Sequence, residues 1–277
     1  MSATASTPSH PHKVTLVSVI LPTYNEAGNI VDLCMAIHTA IRQPHEIIVV
    51  DDNSPDGTSR LVQELIDSGK CAGLRLETRL TDRGLTKSIQ RGIDLAGGDT
   101  VVWLDCDFSM PPEIIPQLLG KIEAGYDIAV ASRFLAGGKF KDAKQWFGGE
   151  ESKAVILLSR FLNWFLRHAL FASFTDYTSG FIAIRKTVLQ EVRLHGDYGE
   201  YFIDLIFRSI LIGHSFIEIP YENVPRRAGE SKTGTSFTGV FKRGWPYLWT
   251  ILRMWKLRLT SPGARRATLS TLRREEK

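Results

Sequence analysis

Three runs of nearly unbroken apolar residues, each ending in a polar and acidic stretch, constrain the fold of this chain more than any other feature. Val17-Ser18-Val19-Ile20-Leu21 leads into Pro22-Thr23-Tyr24-Asn25-Glu26, and Ile47-Ile48-Val49-Val50 leads into Asp51-Asp52-Asn53-Ser54-Pro55-Asp56-Gly57. Thr100-Val101-Val102-Trp103-Leu104 leads into Asp105-Cys106-Asp107. Runs without polar alternation suit strands buried on both faces of a parallel sheet, and ligands on such sheets sit outside the carboxyl ends of the strands. The acidic ends are therefore expected to converge. Between the runs, apolar residues recur at helical spacing: Ile30, Leu33, Cys34, Ile37 and Ile41, then Leu61, Val62, Leu65 and Ile66, then Leu85, Ile89 and Ile93. A βαβαβαβ opening predicts an α/β fold with a mostly parallel, twisted sheet and helices on both faces. No G-x-G-x-x-G follows the first strand and no G-x-x-x-x-G-K-[ST] occurs, which counts against dinucleotide and P-loop sites.

Asp105 and Asp107 carry the first chemical hint. Alternate residues of an extended strand share a face, so the two carboxylates are expected about 7 Å apart and pointing the same way. Hard cations such as Mg²⁺ use one or two carboxylates and fill their shell with water and substrate phosphates, which suggests a diphosphate-bearing substrate. Two solvated turn acids would give the same pattern, because Asp is common where strands turn over.

Six motifs, in order, then resemble one family. Pro22-Thr23-Tyr24-Asn25-Glu26, Val50-Asp51-Asp52-Asn53-Ser54, Asp105-Cys106-Asp107, Ser132-Arg133, Asp176-Tyr177-Thr178-Ser179-Gly180-Phe181 and Arg226-Arg227-Ala228-Gly229-Glu230-Ser231-Lys232 match the family 2 glycosyltransferases. The pattern is most similar to the branch that loads mannose onto dolichol-type phosphates, and it runs from about Val17 to Gly234. The resemblance implies a GT-A nucleotide-sugar-binding fold. It implies that Pro22, Tyr24, Glu26, Val50 and Asp52 meet the base and ribose of the donor, and that Asp105, Cys106 and Asp107 lie at the ribose and metal-diphosphate. Arg133 and Ser159 would contact the acceptor phosphate, Arg133 the donor as well, Asp107 with Ser109 would hold Mg²⁺ or Mn²⁺, and Arg226 with Lys232 would close on the diphosphate. Asp105, Asp107, Arg226 and Lys232 thus form the expected catalytic set.

The chemistry fits those assignments. A departing nucleoside diphosphate gains negative charge, so a fixed cation and placed Arg or Lys groups stabilise the transition state more than the ground state. Gly229 and Gly234 beside Arg226 and Lys232 suit a loop that folds over substrate, although an ordinary basic surface loop has the same composition. A lipid monophosphate acceptor, with a second pKa of about 6, is already largely dianionic and needs no base, so a single inverting displacement follows. Three departures from the family pattern stand out: Cys106 where relatives have Ala, Ser109 where they have Gln, and Val155 where they have Arg. Lys153 can supply charge near the last, but not a bidentate fork. Open alternatives are another donor such as UDP-glucose or UDP-N-acetylglucosamine, a hydroxyl acceptor, or a weakly catalytic subunit that binds nucleotide-sugar within a membrane complex.

The 277 residues suit one large domain with appended segments: a disordered tail over 1–14, a catalytic domain over 15–236 and a basic, Trp-rich segment over 237–277. Cys34, Cys71 and Cys106 form neither a zinc pattern nor a disulfide framework, which favours a reducing cytoplasmic setting. Residues 1–13 lack the apolar core of a signal peptide. The net charge of +4 is uneven, since Lys242 to Lys277 holds ten Lys or Arg against two Glu. Trp245, Tyr247, Trp249 and Trp255 are interleaved there, and no stretch reaches the roughly 18 to 20 apolar residues that span a bilayer. Such a segment suits the cytosolic membrane surface as a peripheral contact. Residues 154–174 are a second amphipathic candidate, although core packing would produce the same stripe. A membrane-anchoring partner subunit fits this arrangement, and no nucleic-acid module accompanies the basic tail.

Overall fold

The computed structural model describes residues 6–8, 10–139, 151–224, 226, 227 and 237–260; for 151–159, 237–246 and 248 it describes the backbone alone. The strands are β1 (Val17–Thr23), β2 (His45–Asp51), β3 (Leu74–Thr78), β4 (Thr100–Trp103), β5 (Ile128–Ser132), β6 (Ile182–Arg185) and β7 (Phe216–Pro220). They form one sheet in the order β3-β2-β1-β4-β6-β5-β7. β1 pairs in parallel with β2 and β4, and β5 with β7, while β6 runs antiparallel between β4 and β5. The mostly parallel α/β expectation therefore holds, with one reversed strand.

Alternation along each strand explains the apolar runs. Val17, Val19 and Leu21 of β1 pack with Ile47 and Val49 of β2 under α1 (Ile30–Ala40), α2 (Thr58–Asp67) and α4 (Ile115–Glu123). Ile20, Ile48 and Val50 face the opposite way, into a second core with Ile89 and Ile93 of α3 (Leu85–Leu95). Both faces are covered, so neither parity can be polar, and each fully buried aliphatic side chain contributes about 1.5–3 kcal/mol. Buried Ser18 is the exception in β1. Its hydroxyl donates to Glu46 Oε1 at 2.7 Å and accepts the Gly98 N–H at 2.9 Å, so its polarity is satisfied.

The remaining helices are α5 (Glu151–Ala169), α6 (Lys186–Glu191), α7 (Glu200–Ile212) and α8 (Phe237–Thr260). α8 is tied to the body by several side chains, among them Arg253, Trp255 and Arg258. Arg253 pairs with Asp204 of α7, which is fully buried and also accepts Arg208 Nε at 2.8 Å. Trp255 Nε1 donates to Ala169 O at 2.7 Å, which joins α8 to the end of α5. Among the described residues no helix is long and apolar enough to cross a membrane.

Part of the stretch expected as a free tail makes contacts that a free tail would not. Ser6 N donates to Phe216 O at 3.1 Å and Phe216 N to Ser6 Oγ at 2.7 Å, on the edge strand β7, while His12 N donates to Glu123 O at 3.0 Å. An edge strand has unpaired backbone groups that any neighbouring segment can satisfy, and Ser6 does so here.

Close helix–strand approach sets the position of α3, whose first turn borders the functional cleft described below. A Cβ added at Gly92 would lie 3.0 Å from Ile20 Cγ1 and nearer still to Cγ2, in a fully packed region. Alanine gains about 1 kcal/mol of helix propensity over glycine, yet overpacking a β-branched core neighbour costs about 1–3 kcal/mol. Gly92→Ala is therefore expected to lower stability despite the better helix former, seen as a lower urea midpoint with an unchanged slope. A higher midpoint would show that Ile20 yields freely.

Candidate functional site

Among the described residues, four loops leave the carboxyl end of the sheet with one non-glycine residue each in the left-handed region: Asn25 after β1 (φ 57°), Asn53 after β2 (φ 57°), Asp82 after β3 (φ 55°) and Phe108 after β4 (φ 63°). Asn tolerates that conformation because its short side chain bonds locally, whereas Phe does not, so Phe108 marks a strained turn. The strand order runs outward from β1 to β2 and β3 on one side and to β4 on the other. The β1/β4 boundary is thus a topological switch point, where open α/β sheets place ligands. A cleft of about 520 Å³ lies there.

Eight of the expected residues line that cleft together: Pro22, Tyr24, Glu26, Asp52, Asp105, Cys106, Asp107 and Arg226. One geometric expectation is corrected. β4 ends at Trp103, so Asp105 and Asp107 do not alternate on a strand but sit in the turn that follows it. The left-handed Phe108 and the N–H of Ser109, which donates to Asp107 Oδ1 at 2.9 Å, fold that turn back on itself.

Asp107 is nearly buried, and its other oxygen pairs with Arg226 Nε at 2.8 Å. Its backbone carbonyl accepts the Arg227 N–H at 3.2 Å. Asn223 Nδ2 and the Val224 N–H donate to Ser109 O at 2.9 and 3.2 Å, so the acidic turn and the strand leading to Arg226 are laced together. Cys106 Sγ reaches Pro22 O at 3.4 Å and ties the same turn to β1. Asp105 is open to the cleft yet crowded by protein; that enclosure and the Asp107 charge raise its pKa, while Arg226 and Arg133 pull it down, and the net direction is up.

On the β2 side, Asp52 accepts the Gly84 N–H at 2.7 Å and the Ser88 hydroxyl at 2.9 Å, with Arg79 3.5 Å away. Glu26 accepts Asn29 Nδ2 at 3.0 Å, and Tyr24 is 41% exposed at the rim, available as a flat surface for a ring. The structure does not bring Val50 into the cleft. Its side chain is fully buried in the β2 core, because its parity points toward α3 rather than out of the strand end.

Arg133 lies beneath the cleft rather than on its lining. Its Nε and Nη2 grip the two oxygens of fully buried Asp176 at 2.8 Å each, and Nη2 also donates to Thr178 Oγ1 at 2.8 Å. Burial pulls the guanidinium pKa down, but Asp176 outweighs it and holds the charge firmly. Ser109 is buried behind Asp107 and meets it through its backbone. Lys232 and the side chain of Ser159 lie outside the described residues.

The cleft also contains Thr23, Arg83, Gly84, Leu85, Ser88, Asp197 and Tyr198, which the sequence reading missed. Arg83 and Gly84 follow β3, an edge strand whose Leu-Arg-Leu-Glu alternation hides it among amphipathic patterns. A strand-turn-helix reading of Thr81-Asp82-Arg83-Gly84 would have found them. Asp197 and Tyr198 come from the loop before α7, and no local signal marks them.

Among the described residues, five carboxylates line the cleft (Glu26, Asp52, Asp105, Asp107 and Asp197) against Arg83 and Arg226, and Arg79 offsets Asp52. That lining by itself would repel a di- or triphosphate entering without a cation. Among the described residues no three His, Cys, Asp or Glu side chains form a closed cage, so any cation would keep most of its shell for water and phosphate, as Mg²⁺ does. The donor set therefore fits a hard divalent ion brought with a phosphorylated ligand.

A mostly parallel sheet with an acidic, cation-compatible cleft at its switch point defines a GT-A-type nucleotide-sugar fold. A family model described as "Glycosyl transferase family 2" matches residues 18–193, and the chain belongs to that family. It is 35% identical over 217 residues to a dolichol-phosphate mannosyltransferase of Pyrococcus furiosus, covering 78% of this chain and 58% of that protein. It is 34% identical over 224 residues to the polyprenol monophosphomannose synthase of Mycolicibacterium smegmatis, covering 79% and 81%. Among solved structures, glucosyl-3-phosphoglycerate synthase from Mycobacterium tuberculosis, in complex with Mn²⁺, UDP and glucosyl-3-phosphoglycerate, matches with a TM-score of 0.62 at 18% identity. That match covers 87% of this chain and 80% of the other, and it speaks to fold.

The support beneath Arg133 contains a titrating group. Glu218 accepts the Thr175 N–H at 2.7 Å and the Asp176 N–H at 2.9 Å, and burial pushes its carboxyl from 4.5 up to about 7. Below about pH 4.5 the folded and unfolded chains both hold this proton; as pH rises the unfolded chain ionises first, so stability falls until about pH 7. The loss is about 3 kcal/mol. The unfolding free energy is expected to drop between pH 5 and 7.5, and Glu218→Gln to flatten that drop in a urea series. Parallel curves for the two proteins would show Glu218 to be ionised throughout.

Proposed function

We propose that this chain transfers mannose from GDP-mannose to a polyprenyl monophosphate, with inversion and with a divalent ion at the leaving group. The observation that carries the reading is the Asp107–Arg226 pair in the cleft at the β1/β4 switch point: an anionic and a cationic group 2.8 Å apart, where a metal-diphosphate needs one of each. The names of the two relatives both contain a polyprenol-type phosphate and mannose, which supports the choice of acceptor and sugar.

Within that reading each residue has a task. Tyr24, Glu26 and Asp52 receive the base and ribose, while Asp105 faces the sugar end of the cleft. Asp107, supported by the Ser109 backbone N–H, would hold Mg²⁺ or Mn²⁺, which when bound stabilises negative charge on the departing diphosphate. Arg226, with Lys232 further along the chain, answers the rest of that charge. Arg133, oriented by Asp176, helps to keep Asp105 ionised. The acceptor phosphate, with a second pKa of about 6, attacks as its own dianion, so no protein base is assigned.

The lipid acceptor asks for a membrane surface. Phe161 and Trp164 of α5 and Trp249, Leu252 and Leu259 of α8 are 47–78% exposed, and the two helices are joined through Trp255. Exposed Trp and Leu on basic helices suit the headgroup region, so the chain sits peripherally on the cytosolic face.

Chelator-sensitive formation of a lipid-extractable product from labelled GDP-mannose, polyprenyl phosphate and Mn²⁺ is the expected result with the purified chain. Asp107→Asn is expected to lower turnover by about 100-fold or more, the scale of losing a transition-state charge partner. Near-normal turnover in that variant at saturating substrate would end the metal-displacement account. Product from a UDP-sugar alone would move the donor to another nucleotide. On anionic liposomes, replacing Trp249, Leu252 and Leu259 together by Ala is expected to reduce flotation severalfold; unchanged flotation would remove α8 from the membrane contact.

A further inference from the structure

Consecutive residues of the acidic turn and of the 226–227 segment face opposite ways. Asp107 and Arg226 line the donor cleft, whereas Phe108 and Arg227 line a second hollow of about 520 Å³ with Asp32, Met35, Pro111 and Val224. In that hollow the Arg227 guanidinium lies 4.4 Å from the centre of the Phe108 ring, and its Nη1 is 3.3 Å from Asp32 Oδ2 on α1. Its backbone N–H donates to Asp107 O at 3.2 Å. Arg227 therefore joins three separate elements: the acidic turn, helix α1 and the segment that brings Arg226.

We propose that Arg227 is a positioning residue for the donor cleft, a latch that seats its neighbour Arg226 against Asp107 by stacking on Phe108. The proposal rests on the reading of Asp107 and Arg226 as the diphosphate end of the site. The backbone of Phe108 supports it: a bulky residue held at φ 63° persists only where surrounding contacts repay the strain, and the contact its ring makes with a cation is Arg227. That conformation sends the side chain of residue 108 away from the cleft that its neighbour Asp107 faces. The Asp32 pair is exposed at both ends, 62% and 70%, so solvent weakens it and the stack is the stronger half of the latch. Both contacts are of the size that biases a segment between two placements by a few-fold rather than locking it. Arg suits the task and Lys would not, because only a planar guanidinium covers a ring face while reaching a carboxylate sideways.

The test is titration of the full chain with GDP–Mn²⁺ and UDP–Mn²⁺, comparing wild type with Arg227→Ala, Phe108→Leu, Arg226→Ala and Arg226→Ala/Arg227→Ala. Arg227→Ala and Phe108→Leu are each expected to weaken nucleotide binding about five-fold while the thermal midpoint stays at the wild-type value. In the Arg226→Ala background, Arg227→Ala is expected to cost nothing more, since a latch has no effect once the residue it seats is gone. A merely structural role would give losses that multiply. Wild-type binding by Arg227→Ala or by Phe108→Leu, or multiplicative losses in the double variant, would overturn the latch while leaving the donor site intact. Wild-type binding by Arg226→Ala would sink the donor-site reading itself, and the latch with it.

Discussion

A nearly buried negative charge at Asp107 organises the acidic cleft at the β1/β4 boundary. Withdrawing a carboxylate from water costs several kcal/mol unless hydrogen bonds and an opposite charge replace the hydration. Here the Ser109 N–H takes one oxygen and Arg226 the other, and both partners are secured by further contacts through Asn223, Val224 and Arg227. Removing the Ser109 N–H or Arg226 would leave the carboxylate short of a partner. The acidic turn, the strand end before Arg226 and the tip of β1 are therefore one cooperative unit rather than three loops.

A parallel array makes such a unit affordable. Central strands covered on both faces keep the loop anchors fixed, and the polar residues at the strand ends cross-link one loop to the next. Asp51 accepts the Thr23 hydroxyl at 2.9 Å and the Ser54 N–H at 2.9 Å, and Asp56 accepts the Thr58 N–H at the start of α2 and the Ala27 N–H, each at 3.0 Å. Those bonds join the β1 and β2 loops, so residues lining the cleft from each side hold their spacing without a ligand. Preorganised charges of this kind need little rearrangement when a substrate gains charge, which is where electrostatic catalysis derives its strength.

The parts of this arrangement visible in the sequence are those governed by local pattern. Unbroken apolar runs revealed β1, β2 and β4 because both of their faces are buried, and helical spacing revealed α1 to α3. Motif resemblance located eight cleft residues. What remained hidden depends on single backbone angles and on long-range pairing. Phe108 occupies a left-handed turn that sequence rules reserve for Gly and Asn, so Asp105 and Asp107 were placed on a strand they do not share. Val50 was grouped with Asp52 by motif resemblance, although β2 ends at Asp51, so Val50 stays packed under α3 while Asp52 lies past the strand end in the cleft. Arg133 reads as a phosphate ligand, and nothing local in the sequence shows that Asp176, 43 residues away, also engages its Nε and Nη2.

The same logic of answered charge extends to the carboxyl-terminal helix. Asp204 is fully buried on α7, and its two oxygens are met by Arg208 from its own helix and Arg253 from α8. Breaking a buried pair by removing one partner typically costs about 3–5 kcal/mol, because the remaining charge has no water to return to. α8 is thus registered on the body by an electrostatic bond rather than by apolar packing alone, and the Trp255 bond to Ala169 fixes its rotation as well. With axis and rotation both set, exposed Trp249, Leu252 and Leu259 hold a constant orientation relative to the sheet. In the membrane reading proposed above, that registration holds the cleft at one orientation to the surface.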